Sequence, residues 1–277
     1  MPIPSRFQFS QASLQDYVDC PRRFYLRFIR RLAWPAVEAE PVLENERLME
    51  QGSRFHTMVY QSLIGVPKDR LNRMVQDADL ALWWRSIQEI LPGLKSAASG
   101  LYPEVTLTAP LAGFTLLARC DLVVSREDGR LQIIDWKTAR SRTRRSILAG
   151  SLQTCLYPYL LVRDGARFNA SRPVQPAQVE MIYWFAGFPD QSEHFVYTPE
   201  QFQQDESRLE SLIRQIAGLQ DDQFHSSPGR GCRFCVYRSF CEQGVRAGDL
   251  SGRDDEQSDA SMPDLDFDFD QIAEIEF

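Results

Sequence analysis

The 277-residue sequence has no apolar run approaching the ~18 residues needed to cross a bilayer. Its longest, Met181-Ile182-Tyr183-Trp184-Phe185-Ala186-Gly187-Phe188, is strand-sized, so no membrane partner is expected. The first residues, Met1-Pro2-Ile3-Pro4-Ser5-Arg6-Phe7, lack the apolar core of a secretory signal. The expectation is a cytoplasmic protein whose six cysteines are not structural disulfides. No internal repeat is visible. What is present is ordinary for a globular chain: 43% hydrophobic and 25% charged residues. A sizeable core is available, which excludes bulk disorder.

The net charge of -7 conceals an asymmetry. Residues 249–277 hold eleven acids and one base, Arg253, and carry -10, leaving +3 on residues 1–248. The reading is a folded body, 1–248, and an acidic, disordered tail, 249–277. A mildly basic body is compatible with a polyanion partner without establishing one. Leu265-Asp266-Phe267-Asp268-Phe269-Asp270 alternates apolar and acidic residues, as a peptide docking on a protein partner would.

Ser10 is a plausible N-cap for a helical pattern through Phe28, with Pro21 marking a kink or a new start. Further helices are expected over Glu44–Leu63 and Asp77–Leu91. The period then shortens to strands at Val105–Thr108, Phe114–Val124 and Leu131–Lys137. A helix over Ser146–Leu161, strands at Val179–Phe185 and His194–Tyr197, and a helix from Pro199 to Gly218 follow. This order predicts an α/β fold with a mixed central sheet flanked by helices.

Leu131-Gln132-Ile133-Ile134-Asp135-Trp136-Lys137 is an apolar strand with an acid and a base two positions apart, hence on one face. The preceding strand carries Asp121. A three-residue loop, Glu127-Asp128-Gly129, with Gly129 left-handed, sets Asp121 opposite Asp135. A two-residue turn would instead pair Asp121 with Trp136. The first register is favoured, because a lone buried carboxylate is costly whereas two on a divalent cation are not. Two carboxylates and a lysine suit metal-assisted phosphodiester hydrolysis, although spacing alone favours a cross-strand salt bridge.

Asp121 followed by Asp135-Trp136-Lys137 resembles the PD-(D/E)XK nuclease superfamily, and more closely the RecB/AddB-type nuclease domain and the CRISPR-associated RecB-like nucleases. Cys20-Pro21-Arg22-Arg23-Phe24, Gly52 with His56, and Gln153 with Tyr157 match further motifs in the same order. The resemblance implies a restriction-endonuclease-like fold. It implies Mg²⁺ or Mn²⁺ held by His56, Asp121, Asp135 and the Trp136 carbonyl, with Lys137 as catalytic lysine and Glu104 as a candidate auxiliary acid. Gln153 and Tyr157 would engage DNA, and Tyr157, Trp136 and Phe234 are candidate stacking partners for bases. Arg140, Arg142, Arg144 and Arg145 follow the lysine and suit phosphates; the first three are the DNA-binding candidates.

Cys232-Arg233-Phe234-Cys235 and Cys241 put three thiols within ten residues, enough to chelate one centre. The resemblance supplies Cys20 as fourth ligand and implies a 4Fe-4S cluster joining the N- and C-terminal segments. Zinc on the same thiolates is the alternative. The function implied is a metal-dependent deoxyribonuclease, an exonuclease on single-stranded DNA in repair or recombination. The competing readings are a CRISPR spacer-acquisition nuclease and a catalytically silent DNA-binding or adaptor module. An intact Asp121, Asp135 and Lys137 set argues against the silent module.

Overall fold

A computed structural model of the chain describes residues 3–32, 42–139, 141–227, 232 and 235–241. The acidic tail, Arg140 and Phe234 lie outside the described residues. The chain divides into two compact units. One combines Ala12–Met49 with the segment from Leu219 onward, and the other combines Pro2–Gln11 with Glu50–Gly218.

The second unit is built on a mixed six-stranded sheet. Strands β1 (Gln8–Ser10), β2 (Ala98–Leu111), β3 (Phe114–Arg126), β4 (Leu131–Lys137), β5 (Val179–Phe185) and β6 (Glu193–Val196) contribute to it. β2 pairs antiparallel along the whole of β3. The other edge of β3 takes β1 in parallel near its start and β4 antiparallel near its end. β4 then pairs parallel with β5, and β5 antiparallel with β6. An α/β fold with a mixed central sheet and flanking helices is therefore what forms.

The two faces are covered differently. Leu122, Val124, Ile134, Trp136, Ile182 and Trp184 alternate onto one face. They pack in one core with Phe55, Met58 and Val59 of α3 (Val42–Leu63) and with Trp83, Trp84 and Ile87 of α5 (Ala78–Ser96). Asp77 caps α5, its carboxylate accepting from the Leu80 N–H at 2.8 Å. The helix continues through Pro92, past the stop expected there. The opposite face takes α7 (Leu152–Asp164), whose residues 152, 153 and 155–161 are all buried between the sheet and α8 (Pro199–Gly218). Burial on every side explains its lack of an apolar stripe.

The helix expected over Ser146–Leu161 is two: α6 (Arg145–Gly150) and α7. Ser151 breaks it by turning extended and accepting the Thr154 N–H at 3.2 Å. The short α4 (Lys68–Asn72) and β1 were not legible as elements, being too brief for a periodic signal.

In the first unit, α1 (Gln11–Asp19) leads to α2 (Pro21–Phe24), with Pro21 in its first turn, and to a π-helical turn over Tyr25–Ile29. Phe224 stacks on Phe24 and Tyr25, with ring centroids 5.9 and 5.1 Å away. The Arg22 N–H donates to the His225 carbonyl, and the Tyr237 hydroxyl to the Leu32 carbonyl. Asp16 receives Arg23 and Arg27. Residues nearly the whole chain apart thus share one small aromatic core. Among the described residues, no helix is long and apolar enough to cross a membrane.

Candidate active site

The β3–β4 hairpin has the register in which opposed residues are Leu122 with Ile134, Val123 with Ile133, and Val124 with Gln132. Gly129 is left-handed, at φ 82°, and the Arg126 N–H donates to the Arg130 carbonyl to close the loop. The next step of this register sets Asp121 across from Asp135. There the ladder gives way to a side chain: the Trp136 N–H donates to Asp121 Oδ2 at 2.8 Å.

Asp121 also lies 3.1 Å from Nδ1 of His56, through its Oδ1. His56 is one helical turn after Gly52 on α3. A Cβ on Gly52 would come within 2.9 Å of Thr138 Oγ1, so glycine is what lets α3 approach the segment just beyond Lys137. Burial opposes ionisation of Asp121. The His56 imidazole, the Trp136 N–H and the Lys137 ammonium outweigh it and hold the carboxyl below its ordinary range.

Asp135 is 3% exposed. Its Oδ2 is 3.0 Å from the Lys137 ammonium. Gln153, on α7 and 2% exposed, bridges the two: its amide N–H donates to Asp135 Oδ1 at 2.6 Å, and its carbonyl accepts from Lys137 Nζ at 3.0 Å. The Lys137 ammonium also lies 5.5 Å from the centre of the Tyr183 ring. The Tyr183 hydroxyl meets Thr154 Oγ1 at 2.8 Å, and Thr154 meets the Ser151 hydroxyl at 3.0 Å. Tyr183, Thr154 and Ser151 carry no motif; only the alternation of β5 placed Tyr183 on the face shared with Asp135.

Gln153→Ala leaves the buried Asp135–Lys137 pair without its bridge. The expected result is cleavage slowed ten- to a hundredfold, about 1.4–2.8 kcal/mol, with DNA affinity changed less than threefold. Single-turnover cleavage alongside equilibrium binding checks it; equal losses in both would assign Gln153 to DNA contact instead.

Glu104 lies on β2 between Pro103 and Val105, which pair with Leu122 and Cys120, so it faces the level of Asp121. Its φ is 53°, a left-handed conformation costing a glutamate of order 1–3 kcal/mol. Arg119 Nε donates to its carboxylate at 2.7 Å. Burial, then the charge of Asp121, push the Glu104 carboxyl up, against Arg119 and His56.

Two candidate stacking rings are placed differently from expectation. Tyr157 and Trp136 are 5% and 3% exposed, so neither ring presents a face on which a base could stack. Arg142 is engaged with Gln191 and Glu193. In the first unit, Cys20, Cys232, Cys235 and Cys241 form no disulfide among the described residues. Burial raises the Cys235 thiol, as do Cys20 and Cys241; burial raises Cys241, with contributions from Cys20 and Cys232. Among the described residues, no group of three or more His, Cys, Asp or Glu side chains is assembled to hold an ion.

No curated protein sequence matches the chain. The crystal structure of SSO0001 is similar at 15% identity and a TM-score of 0.42, covering 86% of this chain and 87% of that one. A protein from Eubacterium rectale described as a "Putative exonuclease" is similar at 11% identity and a TM-score of 0.52, covering 86% and 88%. That likeness is one of fold. The family model of the PD-(D/E)XK nuclease superfamily matches residues 8–242, which span both units and every candidate ligand described above. The chain belongs to the PD-(D/E)XK nuclease superfamily.

Proposed function

We propose that the protein is a divalent-metal-dependent deoxyribonuclease acting as an exonuclease on single-stranded DNA, in repair or recombination. The observation that carries this reading is that Asp121 and Asp135 stand one step beyond the last paired residues of β3 and β4, with Lys137 fixed on Asp135 by Gln153. The Asp135–Lys137 salt bridge alone has no use for a second, half-buried carboxylate beside a histidine.

The donor set fits a hard divalent cation: carboxylates of Asp121 and Asp135, the His56 imidazole and the Trp136 carbonyl would hold Mg²⁺ or Mn²⁺. When bound, such an ion polarises a phosphoryl oxygen and lowers the pKa of water. Lys137 presents a compact ammonium that orients the attacking water or offsets charge on the pentavalent phosphorus. Gln153 and Asp135 fix that ammonium before substrate arrives. Tyr183 and the buried wall behind it exclude bulk water from its far side. Glu104 is an auxiliary acid at the same level of the sheet.

Four thiols belonging to one compact unit have the donor chemistry of a four-thiolate centre, and we assign Cys20, Cys232, Cys235 and Cys241 to a 4Fe-4S cluster rather than zinc on the strength of the Cys20 motif. Its role is to fasten segments far apart in sequence.

The test uses anaerobically purified protein with end-labelled linear and circular single strands and with duplex DNA. Linear single strands should shorten progressively with Mn²⁺ or Mg²⁺ and stay intact with EDTA, while circles persist. Cleavage of circles would make the enzyme an endonuclease. Binding without cleavage in any metal would make it a silent DNA-binding module.

A further inference from the structure

Glu193 opens β6, the last strand of the sheet, and pairs with Tyr183, which in turn pairs with Asp135. Asp135, Tyr183 and Glu193 therefore form one row across three strands, and extending the β3–β4 register by one step brings Asp121 to the same level. At ~4.8 Å per strand, Glu193 sits about 10 Å from Asp135, roughly the reach of a nucleotide or two along a DNA strand.

Two arginines meet at Glu193. Arg142, in the segment between β4 and α6, pairs with its Oε1 and also donates to Gln191 Oε1 at 3.2 Å. Arg145, the first residue of α6, reaches Oε2 at 2.7 Å and the His194 carbonyl at 2.8 Å. Its guanidinium lies 4.2 Å from the centre of the Phe195 ring. The Glu193 side chain is 9% exposed, whereas those of Arg142 and Arg145 are 37% and 55% exposed. The carboxylate lies beneath and the cations above, with one positive charge in excess. A guanidinium has five N–H donors, so two held from below keep donors for an anion arriving from outside.

We propose that Arg142 and Arg145, set on Glu193, form a phosphate-binding subsite for the DNA strand beside the scissile position, with Glu193 as the positioning residue that presents both guanidinium forks. This rests on the nuclease reading and adds to it Glu193 and the way it presents Arg142 and Arg145. Ordering two flexible arginines before DNA arrives lowers the entropy lost on binding. Phe195 holds one guanidinium plane, a constraint a lysine would not answer to.

The consequence runs against simple electrostatics. Removing an acid near DNA ordinarily tightens binding; removing Glu193 should weaken it, because the forks lose their support. The experiment measures equilibrium binding of a short fluorescein-labelled single-stranded oligonucleotide across a salt series, with Ca²⁺ replacing Mn²⁺. Cleavage is followed separately in Mn²⁺ at limiting and saturating DNA.

Arg142→Ala and Arg145→Ala should each weaken binding about tenfold and lower the salt slope by about one. Arg145→Lys should recover only part of the affinity. Glu193→Ala should weaken binding roughly five- to tenfold, raising KM and leaving kcat nearly unchanged. Should Glu193→Ala fail to fold, Glu193→Gln, which keeps the acceptor but not the charge, should weaken binding by a smaller factor. Tighter binding by either Glu193 variant would overturn the proposal, as would an unchanged salt slope in both arginine variants. A wild-type protein that cleaves DNA while these variants bind normally would refute the subsite alone. A wild-type protein that neither binds nor cleaves would refute the nuclease reading with it.

Discussion

Asp135→Ala and Lys137→Ala are each expected to lower DNA cleavage by about three orders of magnitude while leaving DNA affinity within a few fold of wild type. The two losses have different causes. Without the Asp135 carboxylate the site loses a hard oxygen ligand facing Asp121. Without the Lys137 ammonium that carboxylate remains, but no cation stands at hydrogen-bond distance from it and from Gln153. Burial adds a structural signature. Asp135 in Lys137→Ala keeps its bond from the Gln153 amide but loses its counter-charge, so this variant should be less stable than Asp135→Ala. Rates on labelled single strands, with thermal unfolding as control, check both. Wild-type cleavage by either folded variant would remove these residues from the chemistry.

Cys20→Ala is expected to have the largest effect on stability of any single substitution. Cys20 immediately precedes α2, and its thiol lies within electrostatic reach of Cys235 and Cys241, more than two hundred residues later. Structural zinc in small zinc-finger peptides contributes on the order of 10–16 kcal/mol of apparent binding energy, comparable with the ~5–15 kcal/mol that holds a whole domain folded, and a cluster on four thiolates fastens the chain in the same way. The stacking of Phe224 on Phe24 and Tyr25 joins the same segments but is worth only ~0.5–1.5 kcal/mol per pair beyond burial. The wild-type protein should be brown, with broad absorbance near ~400 nm from thiolate-to-iron charge transfer. Cys20→Ala should lose colour and cooperative unfolding together. Cys120→Ala, inside the β3 core, should keep its colour. Colourless wild-type protein with stoichiometric zinc would replace iron by zinc in this account, and a fully stable Cys20→Ala would remove the centre altogether.

The hairpin was legible because its signals are local. Alternation fixed the strands, Gly129 supplied the left-handed turn, and the cost of a lone buried acid chose the register that sets Asp121 against Asp135. What lay beyond reach depends on other elements. Gln153 looks in sequence like helix surface, yet it is buried because α7 is enclosed by the sheet and α8. The arginines after Lys137 read as a phosphate-binding run, but Arg142 and Arg145 rest on Glu193, some fifty residues away, and no local pattern carries that partnership. Lysine usage is a further signal in the sequence. The chain has three lysines among its 31 basic residues, and one of them stands at position 137. A site that needs a compact ammonium rather than a planar fork accounts for that choice.

The central claim is that His56, Asp121, Asp135 and the Trp136 carbonyl hold a catalytic divalent cation. The most direct measurement is an anomalous difference map from crystals of the protein soaked in Mn²⁺. The account predicts a peak bounded by those groups that disappears in Asp135→Ala. A Mn²⁺ peak bound only elsewhere, or none in crystals of protein that cleaves DNA with Mn²⁺, would contradict it.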